Sequence, residues 1–382
     1  MGRTMDLKYL PHILLAIVLI ACAIFVPPHL LFNDDYKSPY IDRFSFYYTY
    51  SKDPKPQIAI AQAYQYGQHT NFDFDKAVLW YERAIANGSV EAMSRLGNAY
   101  LATPGSIPNA QKAIAWYEKA DAAGDPKAAN RIGYIYLEGE GVPKDFEKAV
   151  IYFSKHPDTL PPQLPYYIGY HYYKGVDVPQ NYSKAFEWLI RAAKNGDPDA
   201  QSMIARQYYD GEGITKDYFL ASEWYLKAAL QNNAHAQYMM GYLYNYGKGV
   251  PKDPHTAVTW LAKAAKQNYQ NAYYELGWAF RKGEGVPKDS AKAVAFFQLA
   301  AKFGDESSQG LLAYHYNKGD GIPVNQSEAY FWSKLSMRNG DLDSWQLNQD
   351  AAKALSAAQI AALDIRASQW RAEIPPETEI KK

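Results

Sequence analysis

The sequence predicts an all-α protein: a right-handed α-solenoid of eight 36-residue helix-turn-helix repeats with a C-terminal capping helix. The first observation is an alanine that recurs every 36 residues, followed three residues later by an aromatic residue at every step. The second is a set of glycine- and proline-containing turns with the same spacing. A period of this length is typical of proteins in which short helical units stack and share one continuous core.

The periodic alanine and aromatic residue mark the second helix of each repeat, which we call helix B. The alanines are Ala77, Ala113, Ala149, Ala185, Ala221, Ala257, Ala293 and Ala329. The aromatic residues are Trp80, Trp116, Tyr152, Trp188, Trp224, Trp260, Phe296 and Trp332. Because neighbouring helices must pack closely in such a repeat, we expect these rings to fill the gap between helix B and the first helix, helix A.

Helix A carries a small residue at one fixed position, which would let helix B approach closely. These residues are Gly97, Gly133, Gly169, Ala205, Gly241, Gly277 and Ala313. The turns between the two helices have the pattern GEGVPKD, as in Gly139–Asp145 and Gly283–Asp289. Glycine tolerates the positive φ of a helix C-terminus, proline resists helix continuation, and the aspartate can cap the next helix. Each turn therefore predicts one helix end and one helix start.

The repeat pattern also predicts the domain boundaries. We assign residues 57–344 to the eight repeats and residues 33–56 to a linker or N-terminal cap. Residues 345–373 would form C-terminal capping helices, with a Ser-x-x-Gln capping box at Ser356, and residues 374–382 a flexible tail. In the third repeat, prolines between Pro157 and Pro165 replace the usual helix end. We expect a bent or loosened joint there, arising from drift or serving as a hinge or docking point.

Residues 1–32 read as a signal anchor, with an apolar segment at residues 7–26 that is long enough to span a membrane. Arg3 and Lys8 precede its uninterrupted apolar part, residues 13–26, which favours a cytoplasmic N-terminus. Cleavage after Ala23 and lipidation at Cys22 are the alternatives. All three predict that the repeats are exported. The expected location is the bacterial inner membrane, with the repeats facing the periplasm.

Composition and motifs exclude several functions. Lys+Arg and Asp+Glu both number 40, so the sequence lacks the basic excess of a nucleic-acid-binding protein. The single cysteine excludes an intramolecular disulfide. We find no catalytic, metal or cofactor motif and predict that the protein is not an enzyme and needs no cofactor. His171 and His315 share one repeat position, which we interpret as a half-exposed site that tolerates a polar residue.

The recurring pattern A-x-x-x-x-(G/A)-x-x-(Y/F)-x-x-G-x-G-V-P-K-D-x-x-K-A-x-x-W-(Y/L)-x-K-A-A resembles the Sel-one-like repeat, a relative of the tetratricopeptide repeat. The resemblance covers roughly residues 57–340. It implies an adaptor of macromolecular complexes, as in bacterial envelopes and the eukaryotic endoplasmic reticulum. Some secreted bacterial members carry disulfides within each repeat, which this sequence cannot form.

In solenoids of this type the A helices usually line the concave side, so their outward residues are the candidate binding site. These are Tyr134, Tyr166, Tyr170, Arg206, Tyr238, Tyr242, Tyr274, Trp278 and Tyr314. Aromatic residues and arginine are the preferred anchors of protein interfaces. We therefore predict a non-enzymatic scaffold that binds an extended peptide or helix of another envelope protein. The alternative is a factor that binds or assembles polysaccharide or peptidoglycan; some of these rings could instead only pack between repeats.

Overall fold

The computed structural model describes residues 48–49, 51–68, 70–103, 108–338, 341 and 343–373. Within these residues the protein has eighteen α-helices, one short 3-10 helix and no β-strand, which confirms the all-α prediction. The chain divides into two compact units, the first ending at Pro161 and the second beginning at Pro162.

The helix boundaries follow the repeat. The first unit contains α1 (Pro54–Tyr66), α2 (Phe74–Ala86), α3 (Val90–Ala102), α4 (Ala110–Ala122), α5 (Pro126–Glu138), α6 (Phe146–Phe153) and the 3-10 helix Pro157–Thr159. The second contains α7 (Leu164–Lys174), α8 (Tyr182–Lys194), α9 (Pro198–Asp210), α10 (Tyr218–Leu230), α11 (Ala234–Tyr246), α12 (Pro254–Lys266), α13 (Gln270–Lys282), α14 (Ser290–Lys302), α15 (Glu306–Lys318), α16 (Gln326–Arg338), α17 (Ser344–Ala352) and α18 (Ala357–Gln369).

These helices alternate between two roles. The odd-numbered helices from α1 to α15 are the A helices of eight successive repeats, and the even-numbered helices from α2 to α16 are the B helices. Each helix A packs against the helix B that follows it, and within each unit helix B packs against the next helix A. The predicted α-solenoid of eight helix-turn-helix repeats is therefore confirmed.

The residue that fills the gap beside the small residue of helix A is not the periodic aromatic residue, so that prediction was wrong. The filling residue comes one position later on helix B: a Cβ added at Gly277 would lie 2.4 Å from the Phe297 ring, and one at Gly241 would lie 2.6 Å from Leu261. Phe297 is fully buried, whereas Phe296 is only partly buried. One residue turns a helix by about 100°, so adjacent side chains point to different neighbours and only one of them can fill the space beside the small residue.

The turns form as predicted. Asp217 caps α10 by accepting a hydrogen bond from the Leu220 amide at 3.0 Å. The second glycine of each turn is needed for a further reason, which Gly249 illustrates. It has a φ of 72°, and a Cβ there would collide with the Tyr218 carbonyl group at the start of α10. This glycine therefore lets one turn contact the helix B of the preceding repeat.

The shared histidine position is buried rather than half-exposed, which corrects the interpretation of His171 and His315. Their side chains are 8% and 0% exposed. The His315 Nδ1 atom lies 2.7 Å from the Asp320 carbonyl oxygen, and the His171 Nδ1 atom lies 3.2 Å from that of Val176. Each imidazole therefore satisfies a carbonyl of the turn that follows its own helix A.

Glutamine side chains join successive repeats in the second unit. Gln237 on α11 donates to the Ala229 carbonyl oxygen at the end of α10. The Gln267 side chain then donates to the Gln237 Oε1 atom at 2.8 Å. Gln231 contacts Gln201 in the same way one repeat earlier. The buried amides of Gln237 and Gln201 each donate to a carbonyl group left free where the preceding helix B ends.

The proline-rich segment of the third repeat interrupts helix B. Helix α6 ends at Phe153, and the 3-10 helix Pro157–Thr159 follows it. Asp121 accepts from the Lys155 ammonium group at 2.8 Å and lies 2.7 Å from the His156 Nε2 atom. The two compact units divide directly after this segment, within the predicted joint.

At the C-terminal end, α17 and α18 lie where capping helices were expected. Ser356 and Gln359 form the predicted capping box at the start of α18. At the other end, α1 already begins at Pro54, inside the segment assigned to a linker or cap. The anchor at residues 7–26 and the tail at 374–382 lie outside the described residues. Among the helices that the structure does describe, none has the length and apolarity needed to cross a membrane.

Candidate functional site

The nine residues predicted to bind a partner all lie on A helices. Tyr134 belongs to α5 in the first unit, and the other eight belong to α7, α9, α11, α13 and α15 in the second. Tyr170 and Arg206 are exposed, and the remaining seven side chains are half-buried. We call the eight residues of the second unit the A-helix surface: Tyr166, Tyr170, Arg206, Tyr238, Tyr242, Tyr274, Trp278 and Tyr314.

The small residue of helix A explains why these side chains reach the surface. Gly241 and Gly277 are buried against helix B of their own repeat. The next residue is rotated by about 100° around the helix, which carries Tyr242 and Trp278 out of the core. Side chains four positions earlier, such as Tyr274, share that face. The packing of the repeat therefore sets the position of the A-helix surface.

Several rings of this surface contact one another, and some also pack on the core. Tyr166 and Tyr170 lie with ring centroids 6.1 Å apart, and Tyr274 and Trp278 with centroids 6.3 Å apart. Trp278 also contacts the buried Phe297 ring edge-on at 6.2 Å. Part of each half-buried ring is therefore packing, and the remainder is available to solvent.

Sequence reasoning missed several residues that extend this surface. Tyr246 is 53% exposed, and its ring centroid lies 4.5 Å from that of Tyr242. Its position four residues after Tyr242 could have identified it. The Lys248 ammonium group lies over the Tyr242 ring at 5.2 Å, and the Arg281 guanidinium lies over the Trp278 ring at 4.8 Å. Lys248 lies in the turn after α11 and Arg281 in the last turn of α13, outside the aromatic positions that repeat along helix A.

One cleft of about 390 Å³ opens between α11, α12 and α13, and we call it the Glu275 cleft. Its lining residues are Asn245, Tyr246, Lys252, Ala257, Val258, Leu261, Tyr274, Glu275, Trp278, Ala279, Lys282 and Glu284. Burial raises the pKa of the Glu275 carboxyl group, and nearby Lys282 only partly opposes this. Burial first, and then the charge of Glu275, raise the pKa of Tyr238 and Tyr246. The cleft therefore combines aromatic walls with one poorly solvated carboxylate.

A second hollow of about 260 Å³ lies between α7, α9 and the start of α11, and we call it the Arg206 hollow. Its walls include Tyr166, Tyr170 and Met203. The Arg206 guanidinium lies 5.8 Å from the Tyr173 ring, and its Nε atom lies 3.3 Å from an Asp210 carboxylate oxygen. A planar cation over an aromatic ring is a frequent interface element.

A serine and a histidine meet in the Arg206 hollow, and among the described residues no carboxylate is hydrogen-bonded to that histidine. The Ser202 Oγ atom lies 2.8 Å from the His235 Nδ1 atom. Burial lowers the pKa of His235 to about 4, so the ring is neutral near pH 7. Asp199 accepts a hydrogen bond from Asn233 at 2.8 Å rather than from His235. The described residues also contain no group of three potential metal ligands.

Stacked helix pairs that repeat along the chain define a helical-repeat protein. Comparison with family models identifies its repeats as Sel1 repeats, matched at residues 57–89, 90–125, 126–155, 166–197, 198–233, 234–269, 270–305 and 307–341. The chain therefore belongs to the Sel1 repeat family. Proteins built from these repeats generally mediate protein–protein interactions. Comparison with curated protein sequences finds no match.

One solved structure supports this fold, and a second is similar in sequence. A protective antigen of uropathogenic Escherichia coli with an SLR fold is similar at 25% sequence identity and a TM-score of 0.54, covering 86% of this chain and 70% of that chain. A Sel1 repeat protein from Oxalobacter formigenes is similar at 28% identity and a TM-score of 0.49, covering 80% and 88% of the two chains.

Proposed function

We propose that this protein is a non-enzymatic scaffold of the cell envelope that binds a polypeptide partner on the A-helix surface of its second unit. The observation that carries the proposal is the alignment of aromatic side chains and Arg206 on successive A helices, between two clefts. Tyr, Trp and Arg supply most of the binding energy in protein interfaces. In this family's architecture the same surface would lie on the concave side, where a peptide or helix can be enclosed.

The partial burial of these rings supports a binding role. Tyr242 lies between Tyr209 and Tyr246, with centroids 6.3 Å and 4.5 Å away. Because neighbouring rings already restrict its rotamer, little side-chain entropy is lost when a partner covers it. An aromatic ring also offers a large contact area with a polar edge. Such a surface favours specific binding over nonspecific hydrophobic association.

The envelope location rests on the sequence of the first 32 residues. Residues 13–26 are uninterrupted apolar sequence, and Arg3 and Lys8 precede them. We propose that residues 7–26 tether the repeats to the bacterial inner membrane, with the repeats on the periplasmic side. Cleavage after Ala23 or lipidation at Cys22 would give the same side of the membrane with a different attachment.

Crosslinking and capture from native membranes, with the full-length protein as bait, tests the binding role. The test variant replaces Tyr238, Tyr242, Tyr274 and Trp278 by Ala. The matched control replaces four exposed B-helix side chains by Ala: Phe219, Leu226, Leu230 and Leu299. We expect a defined envelope protein that the parent and the control capture and that the test variant loses. Circular dichroism and thermal denaturation establish that both variants fold.

A second variant guards against loss of folding in the first. Tyr170→Ala combined with Tyr246→Ala removes two rings that are 38% and 53% exposed, so its stability should stay close to that of the parent. Weaker capture by this folded double variant supports the aromatic surface. Equal capture by all variants would contradict the surface while leaving a scaffold intact. Recovery of glycan alone would favour the polysaccharide- or peptidoglycan-binding alternative.

A further inference from the structure

We propose that the Glu275 cleft receives a basic side chain, lysine or arginine, of the polypeptide partner. This inference rests on the proposed function, since the cleft is part of the A-helix surface. The inference adds a chemical requirement to the proposed function: the partner must present one positively charged residue to α13 of the seventh repeat.

The carboxylate of Glu275 is the first support. It is half-buried, and no hydrogen bond to its oxygens is formed within the described part of the chain. A partly desolvated carboxylate without hydrogen-bond donors costs free energy. A positively charged donor forms the strongest hydrogen bond with it. The charge of Lys282 lowers the pKa of Glu275. Among the described residues, however, the two side chains form no ion pair within 4 Å. The carboxylate can therefore accept an external cation.

The aromatic walls are the second support. Tyr246, Tyr274 and Trp278 line the cleft beside Glu275. Ring faces attract ammonium and guanidinium groups, and ring edges cover the methylene stem of such a side chain. The Trp278 ring already has two cations near it, Arg281 at 4.8 Å and Lys282 at 5.0 Å. The same ring would help to orient a partner's cation toward Glu275.

The unequal burial of the charged groups in the cleft favours a cationic ligand over an anionic one. The lining contains two lysines, Lys252 and Lys282, and two glutamates, Glu275 and Glu284, so it is formally neutral. Lys282 is exposed and can move toward solvent, whereas Glu275 is fixed on the helix between Tyr274 and the buried Leu276. An anion would have to approach the poorly solvated carboxylate, which is repulsive. A cation removes the electrostatic cost that Glu275 creates.

Saturation-transfer difference NMR on the full-length protein tests the proposal with short synthetic probes. The probes are acetylated and amidated pentapeptides of alanine whose central residue is lysine, arginine, norleucine or glutamate. We expect transfer to the lysine and arginine side chains, and none to the glutamate peptide. Norleucine keeps most of the apolar stem without the charge, so it should bind at least about tenfold more weakly.

Two single variants assign the binding to the cleft. Glu275→Gln should weaken lysine and arginine binding at least about tenfold, because it keeps the shape and removes the charge. Glu223→Gln removes one carboxylate from the exposed side of α10 and should leave binding unchanged. Lys282→Gln should strengthen binding, because it removes the internal cation that competes for Glu275.

The outcomes separate this inference from the proposed function. Equal binding of the norleucine and lysine peptides, or unchanged binding by Glu275→Gln, would overturn the basic-residue requirement. Capture of the envelope partner would then still depend on the aromatic rings, and the scaffold would stand. Choline serves as one further probe. If choline saturated the protein while neither basic peptide bound, the inference would also be overturned, because the cleft would then be assigned to a lipid headgroup.

Discussion

At the scale of single residues, the close approach of helix A and helix B depends on the absence of one Cβ atom. Gly277→Ala would place a methyl group 2.4 Å from the Phe297 ring, which is fully buried. Because the ring cannot move into solvent, we expect a loss of about 1–3 kcal/mol in the free energy of unfolding. Chemical denaturation measures this loss directly.

The matched control for this change lies on the same helix. Asn271→Ala alters an exposed residue of α13 and should be neutral or slightly stabilising, since alanine favours a helix. Phe297→Ala in the Gly277→Ala background should remove most of the clash, so the two changes should be strongly non-additive. Additive losses would mean that the glycine and the ring do not limit the helix approach.

We expect the ionised form of Glu275 to lower the free energy of unfolding, as for a residue whose role is binding rather than stability. Burial raises the pKa of Glu275 in the folded state. The neutral carboxyl group therefore favours the folded state at low pH, and this contribution to stability is lost as the pH rises through that pKa. Glu275→Gln should therefore raise Tm at pH 7 by roughly 1–2 °C. The difference should vanish at pH values below the pKa of Glu275. A lower Tm at pH 7 would indicate that the carboxylate stabilises the fold.

At the scale of the element, each helix B begins at a side-chain cap. Asp217→Ala removes the acceptor of the Leu220 amide hydrogen and should cost about 1 kcal/mol of unfolding free energy. Asp217→Asn keeps an oxygen at the same place and should cost much less. Thermal denaturation of the two variants compares them, and equal losses would mean that charge rather than capping is responsible.

The sequence predicted the elements that depend on local chemistry. Helix ends, the Asp217 cap and the Ser356 capping box follow from residue types at fixed spacing, and the structure contains them. It did not predict which face of helix B meets Gly277, because adjacent aromatic residues at 296 and 297 fit either face. The Gln237–Gln267 contact was missed because it joins two repeats at positions where other repeats have other residue types, such as Tyr273 and Phe303 one repeat later.

The candidate site was predictable only in part, for a similar reason. The face of helix A follows from its 3.6-residue period, so Tyr242 and Trp278 could be placed on the surface. The Glu275 cleft depends instead on the spacing between α11 and α13, which no local pattern encodes. Glu275 resembles any solvated helix residue in the sequence, and only its partial burial in a cleft beside Tyr246 and Tyr274 sets it apart.

At the scale of the whole molecule, stability is a sum of contacts between neighbouring helices. Within each unit, each helix packs mainly on the helix before it and the helix after it, so the repeats of a unit do not share one central core. The last repeat of such a stack exposes one side of its helix B unless another element covers it. Helices α17 and α18 both contact α16, and α18 brings Leu363 and Ala367 into its core.

Removal of α18 should therefore destabilise the second unit. A chain ending at Leu355 loses the Arg366 contact with Glu328 at 2.6 Å and the Arg338 hydrogen bond to the Ala367 carbonyl oxygen. It also uncovers apolar surface around Phe331, which is 1% exposed in the intact structure. We expect a loss on the order of 3 kcal/mol, together with concentration-dependent association through the newly exposed surface.

A chain ending at Glu373 is the matched control, because it keeps α18 and the Lys302–Glu373 ion pair. Chemical denaturation and size-exclusion chromatography compare the two truncations with the parent. The control should match the parent in both measurements. Equal stability of all three chains would mean that α16 does not need a covering helix, and α18 would then be an appended element rather than the end of the stack.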